Sequence, residues 1–247
     1  MAVTSDFNDS YALSKAAQQS ESAVRAPVSP AFPVLAGVAA LLLAVLSVGY
    51  LHMVAPAALS PIRDTVSDYV YLHGAGGLFN FSAVMTAFGS VGLMVGLRYS
   101  RLRVSKLTYA LMGLWCAGLV LLPTFPTDRL LADLTVTGAV HRYLSLIAFI
   151  SLPLAGLGVA SALASKEKLR PLAQRLRVMC AAGSMSVLAL LLTHLPDLYP
   201  QKFGNLMISG LVERVLLVVD FGLLATIAIG ILATGRAAVS TVDGGLK

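Results

Sequence analysis

Asp64 and Asp68 stand four residues apart in the run Ser60-Pro-Ile-Arg-Asp-Thr-Val-Ser-Asp68, which also carries Arg63 and Ser67. On a helix this spacing sets two acids one turn apart, where like charges repel unless Arg63 or another cation lies between them. Further on, Phe125-Pro-Thr-Asp128 precedes His141-Arg142, and His194-Leu-Pro-Asp197 precedes Glu213-Arg214. Imidazole and carboxylate ligands suit zinc or another divalent ion, which makes Asp128, His141 and His194 the candidate metal ligands. A bound metal lowers the pKa of its water to about 7 and so supplies a nucleophile for hydrolysis. Ser67, beside Asp68, is the best non-metal nucleophile, with a nearby histidine as base. Ser67, Asp68, Asp128 and His141 are therefore the candidate catalytic residues. Arg63, Arg142 and Arg214 are the cations available to a substrate phosphate or carboxylate. No HxxxH, HExxH or GxSxG is present, so the signal is clustering and not spacing. Each residue also has a plainer reading: Asp128 as an acceptor for backbone N–H groups in a turn, Arg63 as a partner for Asp64, the histidines as residues in headgroup water.

Asp220 is a different case. It stands inside an apolar run, with Glu213 seven residues earlier on the same helical face. A carboxylate there is costly in lipid and marks a functional site by default. Glu213 and Asp220 read as a proton or cation relay, with Asn80 and Thr193 as polar groups along the route. The plainer reading is a hydrogen bond from Asp220 to Ser82, Ser184 or Ser186 on a neighbouring helix.

The elements that position these groups follow from hydropathy. The chain of 247 residues is 57% hydrophobic and 12% charged, with a mean hydropathy of +0.81. A soluble domain carries about 25% charged residues. Disorder, a secreted disulfide scaffold, a coiled coil and an ordinary cytosolic enzyme are excluded. About 20 apolar residues cross a hydrocarbon core as a helix, and six such segments occur: Phe32–Val54, Gly74–Leu97, Leu107–Phe125, Gly138–Ala164, Val178–Leu195 and Gly210–Thr234. Strand-length alternation is absent, which excludes a β-barrel. The expected fold is all-α, a polytopic six-helix bundle over residues 31–236 between cytoplasmic tails of 1–30 and 237–247. The first segment is too long for a signal-peptide core and reads as a retained anchor.

Lys and Arg set the orientation. The two tails and the loops around Arg98–Lys106 and Lys166–Arg177 hold 13 of the 18 basic residues, so both termini are expected in the cytoplasm. All four histidines, and the acids from Asp64 to Glu213 other than Glu167, then lie at outer span ends or in outer loops. The first outer loop is expected to form a short amphipathic interfacial helix, with Ser60 as N-cap, Pro61 at the first position, and Ile62, Val66, Tyr69 and Val70 on its apolar face. The net charge of +6 reads as topology and attraction to anionic lipid, with membrane lipids as partners and no nucleic acid. No GxxxxGK[ST] loop occurs, so ATP-driven work is not expected. Cys116 and Cys180 differ in depth and read as small buried hydrophobes. Gly92-Leu-Met-Val-Gly96 is a GxxxG for packing within the bundle, or in the alternative for a homodimer.

The run Leu59–Asp68, and Phe125-Pro-Thr-Asp128 followed by His141 at a span start, resemble the signature regions of the domain-of-unknown-function 998 family of bacterial membrane proteins. The resemblance covers about residues 32–235. It implies a six-helix integral membrane protein of the bacterial inner membrane with no established reaction, and it picks out Ser67, Asp68, Asp128 and His141. A more distant similarity is to seven-helix ceramidase and progestin-receptor-like membrane hydrolases, which set Ser, Asp and His around an intramembrane zinc; this chain departs in lacking HxxxH on the last span and one helix.

Three functions are expected from these residues. The first is a metal-assisted hydrolase or transferase of a lipid or amphiphile at the outer face. The alternatives are a small proton-coupled transporter using Asp220 and Glu213, and a lipid-binding membrane protein without turnover.

Overall fold

The structure is a computed structural model that describes residues 31–56, 59–100, 102–128, 133–193 and 208–243, with side chains described to residue 234. The six apolar segments are six helices long and apolar enough to cross a membrane: α1 (Ala31–Val54), α2 (Gly76–Tyr99), α3 (Lys106–Leu121), α4 (Val136–Ala164), α5 (Arg170–Thr193) and α6 (Ser209–Asp243). No strand occurs among the described residues. In lipid each backbone polar group must find its partner within the chain, which is why an apolar run of this length is a helix.

Helix ends depart from hydropathy where charge and helix propensity disagree. α5 begins at Arg170, two turns before the apolar run, with Arg175 and Arg177 inside the helix. Arginine is a good helix former, and Pro171 fits a first turn where its missing N–H has no carbonyl to serve. The helical backbone of α6 likewise continues past 236 to Asp243. The first loop is helical too, but shorter and tighter than an amphipathic α-helix: a turn at Pro61–Arg63 leads into a 3-10 helix at Ser67–Tyr71. Val66 and Tyr69 are buried as expected, whereas Ile62 is exposed and Asp64, Ser67 and Asp68 are buried. The buried acids are met by N–H groups of the loop itself, on Ser60 and Thr65.

Consecutive helices pack side by side, and α6 closes the bundle by touching α1, α2, α4 and α5. α1 and α2 approach most closely, at Gly37, Gly89 and Gly92. Both glycines of the GxxxG are used within the chain: Gly92 lies against the Pro33 carbonyl and Gly37, and Gly96 against Val34 and Ile231. The core is apolar, with Trp115 buried and its Nε1–H donating to Ser90 Oγ at 2.9 Å. One face of α6, through Glu213, Leu216, Asp220, Ile227 and Ile231, points into the centre.

Candidate functional site

Loop 1 and the start of α6 build a single polar knot. Ser60 N–H donates to Asp64 Oδ2 at 2.6 Å, and Arg63 pairs with Asp64 at 3.4 Å, the one ion pair among the described residues. Asp68 Oδ2 accepts from Thr65 N–H at 2.7 Å and from Thr65 Oγ1 at 2.8 Å. The acid thus reaches back three residues as in a capping box. Burial pushes the Asp68 carboxyl above the ordinary carboxylate range, with Asp64 adding like charge; the Thr65 bonds and His141 oppose the rise. Ser67 Oγ is bonded to Thr65 Oγ1 at 2.8 Å, so the expected nucleophile is engaged with a hydroxyl and not with an imidazole.

α6 docks onto this loop through its first turn. Its orphan N–H groups on Gly210 and Leu211 donate to the Arg63 and Ile62 carbonyls, as a helix N-terminus requires. Glu213 Oε2 accepts from Val66 N–H at 2.5 Å, and Asp68 lies close enough to act on it electrostatically. Arg214 donates from Nε to His52 Nε2 at 2.8 Å. Its NH1 donates to the Pro61, Asp64 and Gly210 carbonyls and its NH2 to Tyr69 Oη. The guanidinium also lies 5.7 Å from the Tyr69 ring centroid. These bonds fix the His52 tautomer: Nδ1–H donates to the Val48 carbonyl at 2.8 Å, leaving Nε2 to accept. Arg214, expected as a substrate cation, spends all but one of its N–H groups within the chain. Arg214→Ala leaves the Pro61 and Asp64 carbonyls without this donor and should cost about 2–3 kcal/mol, seen as a lower Tm and as faster proteolysis in loop 1.

The second cluster sits between the segment that leaves α3 and the start of α4. Asp128 accepts from Thr135 N–H at 2.9 Å and Thr135 Oγ1 at 2.7 Å, while Thr135 caps α4. Those bonds hold its carboxyl below the usual range, with Arg142 and His141 contributing. A depressed acid stabilises the fold above its unfolded pKa of about 3.9, and that contribution fades as pH falls through the lower folded value. Asp128→Asn should therefore lower Tm by a constant amount from pH 6 to 8, and the difference from wild type should close below about pH 4. His141 is buried, and its Nδ1–H donates to the Phe125 carbonyl at 2.7 Å, so Nε2 is the free base. Tyr71 Oη donates to the Thr127 carbonyl and joins the two clusters.

Thus Ser67, Asp68, His141 and Glu213 share one end of the bundle, with Asp128 and Arg142 at its edge, and Arg63 exposed on the loop surface. Among the described residues no three of His, Cys, Asp and Glu are placed to hold a metal ion. His194 and Asp197 lie outside the described residues. Thr65 and Tyr71 escaped the sequence reading, which took Tyr69 only as part of an apolar face; the Thr65-x-x-Asp68 spacing was the available signal for the first.

Asp220 lies deeper. It is 1% exposed, and neither carboxylate oxygen has a hydrogen-bond partner among the described residues; Asn80 Oδ1 is in the same position. The hydroxyls of Ser82 and Ser186 donate instead to the Phe79 and Ala182 carbonyls of their own helices, and Ser184 is exposed. Leu217 packs on the cluster that contains Phe79 and Ile231 lies beside Gly96, so α2 and α6 run in register. That register sets Asp220 at the depth of Ser82 to Thr86, about 10 Å below Glu213 by helical rise.

Fold and site together define a polytopic α-helical membrane protein with a polar knot at one end and a buried acid inside that has no hydrogen-bond partner among the described residues. Residues 38–234 match the family described as "Protein of unknown function (DUF998)", and the chain belongs to that family. No match is found among curated proteins or among solved structures.

Proposed function

We propose that the protein moves protons along the buried face of α6, with Asp68, Glu213 and Asp220 as successive proton sites from loop 1 inward. The observation that carries this reading is Asp220, whose two oxygens have no donor among the described residues. An uncompensated charge there is costly, so the side chain needs a proton or a cation. Its neighbours on α6 are Leu216, Leu217, Leu223 and Leu224, and the α2 hydroxyls at its depth, Ser82 and Thr86, are bonded to carbonyls of their own helix, whereas a hard cation takes several oxygen ligands. That favours the proton. The distribution of Lys and Arg supports the loop 1 end facing outward across a bacterial cell membrane. Infrared difference spectra of the reconstituted protein after a pH step test the assignment: a carboxylic-acid band present in the wild type and missing in Asp220→Asn is expected. Identical spectra for the two would overturn it.

A second reading, hydrolysis or group transfer on a lipid or amphiphile, is favoured by the approach of Asp68 to His141 beside Asp128. In its metal-assisted form His194 joins Asp128 and His141 around zinc or another divalent ion. Its test is metal content. A stoichiometric divalent ion that is lost in Asp128→Ala/His141→Ala supports it, and none in either protein removes the metal-assisted form.

A further inference from the structure

At the end of the bundle opposite loop 1, a cleft of about 710 Å³ opens between the start of α3 and the end of α4. Arg103 and Lys166 reach it from two different loops, with Ser105, Ser161 and Ser165 around them. Gly158 and Ala162 complete its lining on α4, where Thr108 of α3 packs directly against Gly158. Arg103 and Lys166 are both exposed, and neither side chain has a hydrogen-bond or ion-pair partner among the described residues. Glu167, the next residue, forms no ion pair there either. Two cations thus line one cleft without an ion-pair partner among the described residues, between the positive end of α3 and the negative end of α4.

The level of the cleft says what kind of anion fits. The apolar span of α3 begins at Lys106 and that of α4 ends at Ala164, so the cleft lies where hydrocarbon gives way to headgroups. One turn below Gly158 and Ser161, on the same face of α4, Leu154 and Leu157 are exposed, and Leu107 is exposed at the start of α3. A ligand with phosphate in the cleft and acyl chains along these leucines satisfies both halves. We infer that this cleft is a specific binding site for the phosphate headgroup of an anionic phospholipid, independent of the proton path.

Basic residues at a membrane interface attract anionic lipid without any site, so the test must separate the two. The full chain in detergent is incubated with dioleoyl phosphatidylglycerol or dioleoyl phosphatidylcholine, and retained lipid is counted by native mass spectrometry. The double variant Arg103→Gln/Lys166→Gln is compared with Arg98→Gln/Lys168→Gln, which removes the same charge at the same end outside the cleft. Ser161→Leu fills the cleft and leaves charge unchanged. The expected result is about tenfold weaker phosphatidylglycerol retention in the cleft double variant and in Ser161→Leu, near wild-type retention in the control, and little phosphatidylcholine in any. Equal losses in the two double variants, equal retention of both lipids, or displacement by millimolar inorganic phosphate would each overturn the inference, the last by making the ligand a free anion.

Discussion

Gly92→Leu is expected to prevent recovery of folded protein. A Cβ at Gly92 would stand 2.6 Å from the Pro33 carbonyl oxygen and 2.9 Å from Gly37 Cα, and both are backbone atoms that no rotamer change can move. α1 and α2 would have to part along their closest contact. In membranes that contact is held by van der Waals packing and not by the hydrophobic effect, so a small separation forfeits much of it. The cost should reach about 3 kcal/mol or more. Gly113→Leu is the control, because nothing lies within 4 Å of a Cβ built there; its effect should stay within about 0.5 kcal/mol. Size-exclusion profiles and thermal melts of the two variants in one detergent decide the matter. Equal behaviour would contradict the packing described.

Asp220→Leu is expected to do the reverse, raising stability while removing function. An acid whose oxygens find no donor is a standing cost to the fold, and replacing it with an apolar group of similar size relieves about 1–3 kcal/mol. A purely structural Asp220 would show the opposite sign, since losing a hydrogen bond that mattered lowers Tm. The measurement is the thermal midpoint of Asp220→Leu and Asp220→Asn against wild type. A fall in both would mean that Asp220 holds the bundle together through a partner.

The helices were legible because each apolar run is long enough to need no other explanation, and Asp220 because a lone carboxylate breaks such a run. Hydropathy marks where lipid ends, not where a helix ends, so the Arg170 start of α5 was invisible to it. The knot around loop 1 was read only in part. Glu213 and Arg214 were picked out for their charge, but their partners include backbone groups far off in sequence: Arg214 meets carbonyls at Pro61 and Asp64, and Glu213 meets the N–H of Val66. No side-chain pattern announces a backbone acceptor. Asp128 shows the same limit at short range. Its turn-acceptor reading was available from residue type, yet Thr135 as donor depends on how the intervening loop closes. His141 was placed at the right end by topology, and its tautomer only by the Phe125 carbonyl.

The most direct test of the central claim is proton flux through the purified protein in liposomes that contain a pH-sensitive dye, under an imposed pH gradient with valinomycin to cancel charge build-up. The account predicts that wild-type vesicles acidify faster than empty ones, and that Asp220→Asn, although folded, falls to the empty-vesicle rate with Glu213→Gln strongly slowed. Flux in Asp220→Asn equal to that of wild type would contradict it.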